Sequence, residues 1–194
     1  MKYFLIIAVF SVSLIQLSCD ETDDFLNGGG TDPLIDQEVA EAQDYSLTTP
    51  VYGMQVAIRD DVGLGVNNIL AILDNRATQF LDCQLEGSSQ LGFEDVMLPD
   101  GGTIGPLSEL RVFVVPRQFD CEAADRDVCS GIYFFGNDII VVSSSSRFSS
   151  CPNLAIWKHE LGHRYGMEAD HSNIGDFRGC TDEDNCSFED ILGF

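Results

Sequence analysis

The chain predicts one mixed domain of the α/β (α+β) class, and three observations predict it. Short apolar runs at 110–115, 132–135 and 139–142 have the length and β-branched content of strands. Apolar residues from Val62 to Leu81 recur at helical spacing. A second helical stretch, about 154–165, follows the strands. Strand, helix, strands and helix in that order suit one mixed sheet with two main helices. The 194 residues suffice for one such domain and not two.

The N-terminus has Lys2, then the apolar run 4–10 (FLIIAVF) with Leu14 and Ile15, and it stops at Cys19. That run is too short to span a bilayer comfortably and has the charge order of an export leader over residues 1–18. Ile15-Gln16-Leu17-Ser18-Cys19 resembles a bacterial lipoprotein signal, although Gln16 stands where leucine is commonest. The resemblance implies a lipid on Cys19 as the sole membrane attachment, and a place on the outer membrane or cell surface; ordinary secretion is the alternative. Residues 19–45 carry many acids, Gly28-Gly29-Gly30 and no basic residue, as expected of a solvated tether, with the folded domain at 46–194.

Within the domain, 51–58 (VYGMQVAI) reads as the first strand. Val62, Val66, Ile69, Leu70, Leu73, Ala77, Phe80 and Leu81 then make the apolar stripe of a helix of about five turns, a scaffold without chemistry. Residues 87–108, rich in glycine, proline and acids, read as loop. Leu110–Val115, closed by Pro116, is a buried strand. Ile132–Phe135 and Ile139–Val142 flank a Gly136-Asn137-Asp138 turn and pair tightly. Asn153 can cap the last helix, from about Leu154 to Tyr165, and Gly166 can end it.

Ten Lys+Arg against 32 Asp+Glu leave a net charge of −22, which repels phosphate backbones and excludes nucleic acid as a partner. Beyond Cys19 the cysteines are Cys83, Cys121, Cys129, Cys151, Cys180 and Cys186, an even number suited to disulfides in an oxidising compartment. Their spacing favours Cys121–Cys129 and Cys180–Cys186, leaving Cys83–Cys151.

All three histidines fall between 159 and 171, in HELGHRYGMEADH. Residues four apart share a helix face, so His159 and His163 can grip one metal ion, zinc by preference. Glu160 follows the first ligand by one residue, where a general base for a metal-activated water belongs. The third ligand is His171 or its neighbour Asp170, with the downstream acids Asp176, Glu183 and Glu189 as a further possibility. Trp157 and Tyr165 read as packing residues, and 182–184 (DED) as a solvated acidic loop rather than a calcium site. The hydroxyls of 143–146 have no spare histidine for a serine triad.

The segment 159–166 (HELGHRYG) resembles the signature of the metzincin clan of zinc endopeptidases, HExxHxxG followed by a third ligand. Where that clan places the third ligand, this chain has Ala169, so Asp170 or His171 implies a slightly lengthened turn. Cys180, Cys186 and Ser187-Phe188 resemble the archaemetzincin arrangement, with Phe188 where a methionine floor is usual and Ile191 as another floor residue. The resemblance implies a protein or peptide substrate, a twisted sheet and an antiparallel edge strand along the substrate groove. Gly131, Tyr133 and Phe135 are then the edge residues that would line it. A non-catalytic surface module holding structural zinc is the competing expectation.

Overall fold

The computed structural model describes residues 31–84, 89–98, 100–123, 126–144, 154, 156–177 and 180–181. The leader, Cys19, Cys151, Asn153, Glu183, Cys186, Phe188, Glu189 and Ile191 lie outside the described residues.

Five strands form the main sheet: β1 (Leu47–Thr48), β2 (Gln55–Ile58), β5 (Arg111–Val115), β8 (Gly131–Phe134) and β9 (Ile139–Ser143). Their spatial order is β1-β2-β5-β9-β8. β2, β5 and β9 run parallel, whereas β1 and β8 lie antiparallel at the two edges. The sheet is therefore mixed, as expected. Two small hairpins accompany it: β3 (Val96–Met97) with β4 (Thr103–Ile104), and β6 (Phe119–Ala123) with β7 (Arg126–Cys129).

The parallel strands read as nearly continuous apolar runs because both faces are covered. Val56, Val112, Val114, Ile140 and Val142 face one core with Ile69, Leu73, Phe80, Trp157 and Leu161. Ala57, Phe113, Val115, Ile139 and Val141 face the other, with Ile35, Ala40 and Phe119. The connection from β2 to β5 carries the long helix α2 (Val66–Gln84), on the stripe the sequence marks out.

Several sequence expectations are corrected. The first strand is half the expected length, because residues 50–54 turn from β1 into β2, with Gly53 at φ +72°. The buried carboxylate of Asp74 on α2 holds that turn by accepting from the N–H groups of Val51 and Tyr52. The 87–108 stretch is not all loop, since it carries a 3-10 turn (Ser89–Phe93) and the β3–β4 hairpin. The last helix, α3 (Trp157–Arg164), starts three residues late, because Leu154 takes the left-handed conformation (φ +60°) that no helix accepts. Cys180 bonds to Cys83, which displaces both Cys180–Cys186 and Cys83–Cys151; Cys121–Cys129 forms as expected. The end of α2 and the segment after the histidines lie side by side, Gln84 donating to the carbonyl of Asp176, and this proximity outweighs short spacing.

Residues 31–45, which the sequence assigns to the tether, belong to the packed unit that begins at Thr31. Asp32 is buried between Arg59 and Arg117, at 2.7 and 2.8 Å. Short helix α1 (Gln37–Glu41), capped by Asp36, buries Ala40. Among the described residues, no helix is long and apolar enough to cross a membrane.

Candidate metal centre

Helix α3 carries His159, Glu160 and His163, and its two ends are fixed by different means. At the start, Trp157 is fully buried and donates its indole N–H to the carbonyl of Leu73 on α2. At the finish, Gly166 (φ +103°) closes a paired set of hydrogen bonds, Met167 N–H to Gly162 O at 2.9 Å and Gly166 N–H to His163 O at 3.2 Å. That pattern satisfies helix-end carbonyls and sends the chain back towards the histidines, which requires a residue free to adopt positive φ.

The returning loop brings His171 to the helical pair. Nε2 of His159 stands 3.0 Å from Nε2 of His171 and 3.3 Å from Nε2 of His163. Nitrogens around one tetrahedral ion, with bonds of about 2.05 Å, stand about 3.3 Å apart. The cluster has the spacing and donor chemistry to hold a metal ion. Nδ1 of His163 lies 3.0 Å from the carbonyl of Met167 and donates to it, which leaves Nε2 with the lone pair facing the cluster. Burial holds His163 below the ordinary imidazole range, although that donation opposes it; neighbouring His171 lowers it further.

His171 itself has φ +59°. Asn173 secures the loop around it, accepting from the N–H of Glu168 at 2.8 Å and donating to the carbonyl of Gly166 at 2.9 Å. Asp170 is exposed, and its Oδ1 accepts from the N–H of Ser172, which keeps its carboxyl below the usual range. Asp176 is exposed in a 3-10 turn (Ile174–Asp176). Of the acids weighed as third ligands, the described ones are thus outside the histidine cluster.

Glu160 is 4% exposed and lies against β8. Any Cβ at Gly131 would stand 2.5 Å from its Oε1 and 2.7 Å from its Cγ, so the carboxylate occupies room that only glycine leaves. Tyr133, two residues on and facing the same way, is buried and donates its hydroxyl to Oδ1 of Asp138 at 3.0 Å. Burial, and then the Asp138 carboxylate, push its phenol pKa well up, keeping it a neutral donor. Phe135 falls just beyond the strand, 58% exposed, its ring 4.7 Å from that of Tyr133. β8 is one of the two edge strands of the sheet among the described residues.

Sequence reasoning passed over three residues around the centre. Arg164 ends α3 fully buried and forms a two-pronged ion pair with Asp138. Burial works against its charge, but the Asp138 hydrogen bonds outweigh it and raise the pKa above the ordinary value. Asn173 is the third. The available signal for Arg164 was its place one turn after Glu160 on the same helix face; Asp138 and Asn173 read locally as ordinary turn residues. No family model, curated protein or solved structure matches the chain.

Proposed function

We propose that this protein is an exported zinc-dependent endopeptidase, attached to the cell surface by a lipid on Cys19. The observation that carries the proposal is the convergence of three imidazole nitrogens, from His159, His163 and His171, beside a buried glutamate one residue after the first. Three neutral imidazoles are a donor set that suits zinc and leaves a fourth position open. A bound zinc ion supplies a Lewis acid for a scissile carbonyl and lowers the pKa of water in that open position towards ~7.

The chain's own residues do the rest. Glu160 takes the proton of the attacking water on its carboxylate and passes it to the departing amine. Its site against Gly131 limits its freedom to swing away. The outward edge of β8 suits an extended protein or peptide substrate paired through main-chain hydrogen bonds. In that arrangement Gly131 serves through its backbone and Phe135 through its exposed ring, while Tyr133 supports them from within. Both disulfides are compatible with an oxidising compartment outside the cell.

The test uses purified full-length protein, wild type beside Glu160→Ala, each assayed for folding and for bound zinc. Both are incubated with a proteome-derived peptide library and the new termini sequenced. Cleavage by wild type alone is the expected result. One zinc per chain with no cleavage by either protein would replace this proposal with a zinc-binding surface module.

A further inference from the structure

Glu160 and Arg164 are one helical turn apart on α3, and both face β8. Four helical residues advance about 6 Å. Two strand residues advance about 6.6 Å, so Gly131 and Tyr133, on one face of β8, are spaced to match. At one end of this match Glu160 packs on Gly131. At the other, Arg164 Nε and the Tyr133 hydroxyl share Oδ1 of Asp138, at 2.8 and 3.0 Å, and Arg164 Nη2 takes Oδ2 at 2.7 Å.

The guanidinium reaches further than the ion pair. Nη2 also donates to the carbonyl of Gly105 at 2.9 Å, with Pro106 O at 3.3 Å, which ties in the segment leading to β5. Asp138 holds a left-handed conformation (φ +48°) in the turn between β8 and β9, and its own carbonyl accepts from the N–H of Arg111 on β5. A fork-shaped cation that is 1% exposed, held through Nε and Nη2 by Asp138 and the Gly105–Pro106 carbonyls, ties the helix end to both the β8–β9 turn and that segment.

We infer that Arg164 and Asp138 are positioning residues that lock α3 in register with β8 and thereby hold the Glu160 carboxylate against Gly131. The inference rests on the proposed peptidase activity only for its kinetic consequence. Removing the lock leaves the histidines on their helix face and on the Asn173-clamped loop, so metal binding survives. What changes is where Glu160 stands.

The test compares the full-length zinc-loaded protein with the double variant Arg164→Met/Asp138→Asn, which removes the buried guanidinium and its half-buried carboxylate together and leaves no ion stranded. An NMR cross-peak between the Gly131 Hα protons and Glu160 Hγ reads the register directly. In the double variant that cross-peak is expected to vanish, with zinc still one per chain. Peptide cleavage is expected to lose at least tenfold in kcat, with KM within twofold. Arg164→Lys, which keeps the charge but not the fork, is expected to show a weakened cross-peak and a smaller kcat loss. It decides the matter if the double variant does not fold, since a wild-type cross-peak in Arg164→Lys would then overturn the inference. A persisting cross-peak or a wild-type kcat in the folded double variant overturns it too. If the wild type cleaves no peptide, the cross-peak alone decides the register lock, and the inactivity counts against the peptidase proposal.

Discussion

Arg76 of helix α2 donates a 2.7 Å hydrogen bond from Nη1 to the carbonyl of Leu154, the left-handed residue from which the chain enters the histidine helix. Both partners are buried. Together with the Trp157–Leu73 bond, it makes the scaffold helix the mount on which the centre is built.

Arg76→Met keeps the apolar stem and removes one of the two hydrogen bonds that the Leu154 carbonyl accepts, the Trp157 N–H at 3.0 Å remaining. Losing a bond from a charged donor costs about 1.5–3 kcal/mol. The urea midpoint is expected to fall accordingly. Zinc content at saturating metal should stay at one per chain, because neither partner is in the cluster. An unchanged midpoint would show that the bond contributes nothing net.

Gly131→Ala forces a methyl group to within 2.5 Å of Glu160 Oε1. Overpacking of this kind costs about 1–3 kcal/mol. The expected phenotype is a zinc-replete protein with kcat reduced at least tenfold. In Glu160→Ala the obstructing carboxylate is absent, so adding Gly131→Ala should cost little further stability. The double-mutant cycle in thermal unfolding measures that coupling.

Cys83–Cys180 closes a loop of 97 residues and lies nine residues beyond His171. Replacing both cysteines with serine is expected to cost about 2–5 kcal/mol. Loosening the segment after His171 should also weaken zinc binding, as read by chelator competition. Loss of Cys121–Cys129, at the far hairpin, should leave zinc affinity unchanged.

Acid should destabilise the metal-free protein through His163. Burial holds its folded-state pKa below the ordinary value of about 6.5, so on acidification the unfolded chain takes up this proton first. Stability at this position is therefore fully present above about pH 6.5 and declines as the pH falls towards the lowered folded-state value. The slope of melting temperature against pH below 6.5 should be shallower in His163→Gln than in wild type. Equal slopes would show that His163 carries none of the pH dependence.

The parts of this fold that were legible in the sequence are those held by local pattern. Helix α2 follows from a stripe that repeats every turn, and β5 and β9 from apolar runs rich in valine and isoleucine and covered on both faces. His159, Glu160 and His163 are legible because helix geometry alone puts the two histidines together. The illegible parts depend on partners distant in the chain. Nothing near Leu154 announces its left-handed turn, which Arg76 holds from 78 residues away. Arg164 meets Asp138 across 26 residues. Cys180 has a cysteine six residues away and still bonds to one 97 residues away, because the fold had already brought α2 alongside.

The backbone at His171 has a consequence for how tolerant this chain can be. A side chain at φ +59° crowds its own carbonyl, at a cost of about 1–2 kcal/mol that glycine would not incur. Heat resistance alone would favour glycine there, and any drift toward it would remove the third nitrogen. Position 171 is thus where thermal robustness and the histidine cluster make opposite demands on one residue, and this chain has the residue that serves the cluster.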